Sequence, residues 1–170
     1  MRRLTLAPVL LAACAALLAP ALSAQKLPWQ TGNGQPGMNA QLVHFLYPQQ
    51  VTLRAGKPAT ILLHFRVEQG LHINSHTPPA KSLIGTDLKV PNPEGFTVTA
   101  LDFPPGAAYA FPAFPSEKLS VYTGEFVVTM HLTAQPGNHL LQGMLRYQAC
   151  DTNTCFPPRN ATVPIDIVAQ

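Results

Sequence analysis

Charge is scarce in this chain. Asp, Glu, Lys and Arg make up 11% of its 170 residues, where soluble domains usually carry about 25%. The 11 basic and 8 acidic side chains, a formal charge of +3, form no run or stripe, which excludes the basic footprint of a nucleic-acid binder. No Walker loop is present, so nothing offers the phosphate cradle of a P-loop enzyme. Helical periodicity is missing too. The 18 prolines leave no window of a dozen residues with a 3.6-residue apolar repeat, and proline removes a donor and clashes inside helices, so a helix bundle is excluded. No Ser-His-Asp arrangement stands out, and Glu117 and Asp151 are separate acids rather than a hydrolase pair. Low charge does not mean disorder here, because hydrophobic residues make up 46% of the chain.

Long apolar runs are absent except at the start. Arg2 and Arg3 precede an Ala- and Leu-rich stretch from Leu4 to Leu22, followed by small residues at Ser23 and Ala24. This is the pattern of a secretory signal peptide over residues 1–24, cleaved after Ser23 or Ala24. Two alternatives keep a membrane attachment. An uncleaved leader would anchor the chain, although Pro8 and Pro20 make it a poor span. Leu11-Ala12-Ala13-Cys14 matches a lipobox in which Cys14 would carry lipid, but the residues after it stay apolar. Export of this kind predicts a bacterial periplasm or the exterior, where disulfides persist.

Residues 25–40, with Gly32, Gly34, Pro36 and Gly37, read as a flexible N-terminal segment. From about Gln41 the texture changes to short runs with a period of two. Ile61, Leu63, Phe65 and Val67 form one apolar set, and Phe126, Val128, Met130 and Leu132 another. Leu141, Gly143, Leu145 and Tyr147 form a third, and Val163, Ile165 and Ile167 a fourth. Such alternation belongs to strands with one face on a core. Further candidates are Leu42–Leu46, Val51–Arg54, Leu71–Asn74, Asp87–Val90, Phe96–Phe103 and Leu119–Tyr122. Turn residues separate them, as in Ala55-Gly56-Lys57-Pro58 and Pro91-Asn92-Pro93-Glu94-Gly95. About nine or ten short strands over residues 41–170 predict an all-β domain, an immunoglobulin-like antiparallel β-sandwich, with a barrel as the alternative.

Cysteine is nearly absent. Once Cys14 is cleaved off or lipidated, Cys150 and Cys155 remain as a pair. A strand ends near Cys150, and Asp151-Thr152-Asn153-Thr154 is turn chemistry. The two cysteines then face each other at the mouth of a hairpin, where facing Cα atoms lie about 4.5–5.5 Å apart, within reach of a disulfide. Two uses remain open on chemistry alone. Closing a loop of about six residues contributes only roughly 2 kcal/mol, and a mature chain of roughly 146 residues builds a sufficient core without it. A bond at an exposed turn is open to attack by another thiolate. The alternatives are therefore a redox-active pair and a structural staple in a non-catalytic secreted interaction module. Two thiolates without Cys or His at finger spacing argue against zinc. His72 and His76, with Met38 and Met130 elsewhere, raise copper, but strand positions four apart are about 13 Å distant. The reading is therefore no metal and no cofactor. The sequon Asn160-Ala161-Thr162 is read as chance.

The stretch Tyr147-Gln148-Ala149-Cys150, a short linker, Cys155-Phe156-Pro157-Pro158 and a last strand around Thr162-Val163-Pro164-Ile165 resembles the N-terminal periplasmic domain of the thiol:disulfide interchange protein DsbD. That family also includes stand-alone disulfide bond corrector proteins. Gly70-Leu71-His72-Ile73-Asn74-Ser75 followed by Pro78 is similar to a segment in the first half of such homologues. The resemblance covers about residues 40–168. It implies a sandwich whose Cys150 and Cys155 shuttle electrons by thiol–disulfide exchange, with Tyr147, Asp151 and Phe156 as supporting residues. It implies periplasmic thioredoxin-like oxidoreductases as partners. The linker of four residues is one shorter than in the best-known members. The chain ends at Gln170 without a transmembrane or thioredoxin-like domain, so the expected electron donor is a separate chain, a transmembrane reductase or a soluble protein. Carry-over of motif order makes Cys155 the sulfur that forms the mixed disulfide with the downstream partner.

The family also covers its disulfide with a loop bearing an aromatic ring. Residues 113–118 lie at the corresponding place, with Phe114 the best match for the cap and Phe111 the second. A ring over sulfur contributes up to about 1.5 kcal/mol, equivalent to roughly tenfold in an opening equilibrium. Phe114→Ala is therefore expected to speed reduction by dithiothreitol by up to roughly tenfold with the fold unchanged. An unaltered rate of reduction would remove the cap.

Overall fold

The computed structural model describes residues 40–47, 50–110, 112 and 118–170. The leader at 1–24 and all but the last residue of the 25–40 segment lie outside the described residues, as do the cap candidates Phe111 and Phe114.

The described residues form twelve strands: β1 (Val43–Leu46), β2 (Gln50–Leu53), β3 (Ala59–Val67), β4 (His72–Asn74), β5 (Asp87–Lys89), β6 (Phe96–Asp102), β7 (Ala107–Ala110), β8 (Lys118–Tyr122), β9 (Glu125–Ala134), β10 (Gly137–Tyr147), β11 (Ala149–Cys150) and β12 (Arg159–Ala169). Among the described residues there is no helix. The four period-two sets become the long strands β3, β9, β10 and β12. In each, alternate residues are buried: Ile61, Leu63, Phe65 and Val67 on β3, and Ala161, Val163, Ile165, Ile167 and Ala169 on β12.

Three four-stranded sheets result, in the orders β1-β3-β9-β6, β2-β12-β10-β5 and β11-β4-β8-β7. The buried faces of the first two supply most of one shared core, the arrangement of an immunoglobulin-like β-sandwich. Phe65 sits at its centre, stacked on Phe126 at 5.2 Å and tilted against Phe45 at 5.5 Å. All strand pairings are antiparallel except one. β2 lies parallel to β12, with Asp166 facing Gln50 and Ala169 facing Leu53. β1 pairs with β3 in the first sheet and β2 joins the second. The chain thus changes sheets between them, and Tyr47 beside this crossing has a left-handed φ of 54°.

Two strands were not expected from the sequence. β11 is two residues long, too short to carry a period. β7 is rich in alanine, a weak strand former, and is flanked by Gly106 and proline. Gly106 is required by packing: a Cβ there would lie 2.2 Å from Ser120 Oγ and 2.6 Å from Ser75 Cβ.

The start of β1 is fixed by distant partners. The Leu42 N–H donates to the Tyr147 hydroxyl at 3.1 Å, and the Arg159 guanidinium donates to the Ala40 carbonyl. Tyr147 is buried in the main core, so its hydroxyl satisfies a donor that has left water. Tyr147→Phe keeps the ring and removes that acceptor. It is expected to cost about 1–3 kcal/mol, read as a lower urea midpoint with an unchanged slope. An unmoved midpoint would show that this bond contributes nothing.

Candidate functional site

The third sheet carries the cysteines. Ala149 and Cys150 of β11 face Ile73 and His72 of β4. Ile73 and Asn74 of β4 face Tyr122 and Val121 of β8, and Tyr109 of β7 faces Leu119 of β8. Facing residues share a side of a sheet and neighbours along a strand do not. Ala149, Ile73 and Tyr122 therefore point one way, into the main core. Cys150, His72, Asn74, Val121, Leu119 and Tyr109 point the other way. On that outer side Leu119 and Val121 form a second small apolar cluster, joined by Tyr109, Leu83 and Cys155.

The turn between the cysteines is built by Asp151. Its Oδ1 accepts the N–H groups of Asn153 and Thr154, both at 2.7 Å, and its own N–H donates to the Thr154 carbonyl at 3.0 Å. This is the local side-chain-to-backbone bonding for which Asp is favoured in turns. Beyond the turn, the Phe156 N–H donates to the Ala149 carbonyl at 2.8 Å, and the Phe156 ring is buried in the main core. Cys150 and Cys155 are held facing one another and form a disulfide with an S–S distance of 2.04 Å. Their Cα atoms are 3.9 Å apart, closer than facing strand residues usually lie. Of the two, Cys150 is 0% exposed and Cys155 is half-buried.

A loop closes over one end of this face. The Asn74 amide donates to the Ile84 carbonyl at 3.0 Å and the Thr86 hydroxyl donates to the Asn74 carbonyl at 2.6 Å. These bonds anchor the segment that brings Leu83 into the outer cluster. A surface groove of about 510 Å³ opens at the other end, lined by His72, Tyr109, Gly70, Leu71, Thr123 and Glu125, among others.

His72 is the neighbour that residue chemistry alone did not assign to the cysteines. It is 2% exposed, and its ring packs on Tyr109 with centroids 4.3 Å apart. Burial pushes its pKa below the ordinary 6.5, while the Asp151 charge pulls it back upward. His76 has a different environment, stacked on Phe103 at 4.1 Å with its Nδ1 against the Thr86 carbonyl. The presence of His72 in the Gly70–Ser75 segment was a signal, but only the β4–β11 register sets it opposite Cys150. Among the sequence candidates, Cys150, Cys155 and Asp151 come together on the outer face. Tyr147 and Phe156 lie in the main core behind it.

A β-sandwich with a disulfide at the turn of a small third sheet defines the class of protein. The family of the N-terminal domain of the thiol:disulfide interchange protein DsbD matches residues 42–167, and the chain belongs to that family. No curated protein matches the chain. Similar solved structures include the reduced DsbD N-terminal domain of Neisseria meningitidis, at 18% identity and a TM-score of 0.43, covering 64% of this chain and 81% of that one. Another is the N-terminal periplasmic domain of ScsB from Proteus mirabilis, at 15% and 0.48, covering 73% of this chain and 44% of that one. A third is the complex of the DsbD and PilB N-terminal domains of Neisseria meningitidis, at 18% and 0.41, covering 62% of this chain and 73% of that one.

The lowered pKa of His72 sets a pH dependence of stability. The unfolded chain takes up a proton near 6.5, and the folded protein does so only at lower pH. Between the two values the unfolded state binds more protons, so stability falls as pH drops through 6.5 and levels off below the folded value. His72→Gln is expected to remove this acid-side loss from the oxidised protein, seen in urea midpoints between about pH 7.5 and pH 5. The same slope in both proteins would show that another group carries it.

Proposed function

We propose that this chain is a periplasmic thiol–disulfide exchange protein. It passes reducing equivalents between a separate membrane or soluble donor and thioredoxin-like periplasmic oxidoreductases through Cys150 and Cys155. Residues 41–170 form the working domain, behind a signal peptide at 1–24 and a segment at 25–40, with Phe114, or Phe111, as the cap over the sulfurs. Family membership supports the type of chemistry.

The observation that carries the reading is the placing of the disulfide. It closes a short turn on the outer face of the third sheet, and its two ends lie close in the chain, five residues apart. Constraining so short a loop contributes roughly 2 kcal/mol, while the sandwich has a large apolar core of its own. The half-buried Cys155 sulfur is the one an incoming thiolate can approach. Attack there forms a mixed disulfide and expels Cys150 as a thiolate. The partner's second thiol then attacks the partner sulfur of that bond and releases Cys155. The domain gains two electrons and two protons, and the partner leaves as a disulfide. Run backwards, the same steps deliver the electrons.

A reduction-potential titration tests the proposal. Exchange with periplasmic partners calls for a value above roughly −300 mV, the region below which structural disulfides lie. Cys150→Ser combined with Cys155→Ser is expected to retain the fold and lose roughly 2 kcal/mol. A potential below that limit, or a double variant that cannot fold, would make the bond the staple of a non-catalytic interaction module.

A further inference from the structure

The outer face of the third sheet holds a buried imidazole that the exchange steps above leave without a task. We infer that His72 is the proton-transfer group for Cys150, taking its proton when the reduced pair is oxidised and returning it when the pair is reduced. This rests on the thiol–disulfide reading of the cysteines.

Cys150 is fully buried, and taking a thiol out of water disfavours its thiolate. Yet Cys150 has to be a thiolate whenever it attacks or leaves a disulfide. An isolated buried sulfur would therefore react slowly in either direction. His72 faces Cys150 directly across β4 and β11, on the same side of the sheet, where paired Cβ atoms lie about 4.5–5.5 Å apart. An imidazole there accepts the proton locally, and the thiolate forms beside an imidazolium instead of alone.

The surroundings favour this exchange. Burial keeps His72 in its neutral, proton-accepting form at pH 7. The Asp151 carboxylate, fixed in the adjoining turn, favours the imidazolium once the proton arrives. From β7, Tyr109 packs against the ring with a phenol that is neutral at this pH. From the groove, Arg66, Glu68 and Glu125 are the charged groups on that side. Arg66 and Glu125 pair with each other at 3.1 Å, and Glu68 bonds His44 at 2.6 Å. The β8 side chains beneath, Leu119 and Val121, carry no charge.

The step balances. With Cys155 joined to a partner sulfur, His72 takes the Cys150 proton and the Cys150 thiolate attacks Cys155 Sγ. The Cys150–Cys155 bond forms and the Cys155–partner bond breaks. The partner sulfur leaves with the electron pair, and the imidazolium proton passes to water or to that thiolate. The cysteine pair is oxidised by two electrons and the partner disulfide is reduced.

Reduced protein mixed with dithionitrobenzoate releases coloured thiol twice, once on forming the mixed disulfide and once on its resolution by the second cysteine. His72→Asn is expected to slow the second release at least about tenfold at pH 7, leave the first nearly unchanged, and move the pH profile of resolution to higher pH. In the wild type, the rate of the second release is expected to fall as pH drops through the titration of the His72 ring, followed by NMR in the same protein. This second measurement decides the matter if the variant does not fold. An equal second release and an unmoved pH profile would overturn the role of His72, as would a wild-type second-release rate that does not follow the ring's titration. Dithionitrobenzoate needs no physiological partner, so this outcome is separate from a reduction potential that makes the disulfide structural.

Discussion

Ile73, Tyr122 and Ala149 are driven into the main core by the cost of leaving apolar surface in water. Side chains alternate along a strand, so their neighbours His72, Val121 and Cys150 must turn to the opposite face. A one-residue slip of β11 on β4 would put Cys150 in the core and Ala149 at the site. The position of the disulfide is thus a consequence of core packing, although neither cysteine takes part in that core.

The third sheet has apolar residues on both of its faces, and this gives the site its asymmetry. The inner face packs on the sandwich. Among the described residues the outer one has Leu119 and Val121, with Leu83, Tyr109 and Cys155 around them. Such a thin layer buries Cys150 fully and Cys155 only in part. Cys150 is held in a low-dielectric setting, where a neighbouring imidazole and a fixed carboxylate have more influence than they would in water.

Local and distant constraints are joined at Asp151. Its carboxylate closes the turn between the cysteines through two backbone N–H groups, and its charge reaches His72 on another strand. The segment behind the site is fixed in the same economical way, with Asn74 and Thr86 bonding backbone groups across it. Leu119, Val121 and Tyr109 of the outer cluster stand on strands, and Leu83 reaches it from a loop.

The long strands were legible because their signal is local. β3, β9, β10 and β12 each carry an apolar period of two, and the hairpin that faces Cys150 with Cys155 follows from turn chemistry within six residues. β7 and β11 were not legible, since alanines beside glycine and proline carry no strand pattern and two residues carry no period. Nor was the parallel pairing of β2 with β12, the bond from the Leu42 N–H to Tyr147, or the meeting of His72 with Cys150. Leu42 and Tyr147 are 105 residues apart in the chain, and His72 and Cys150 are 78 apart. Composition and periodicity report which face of a strand seeks the core. They carry no information about which strand lies alongside, and that is set only when whole sheets choose the register that buries the most apolar surface with every backbone group paired.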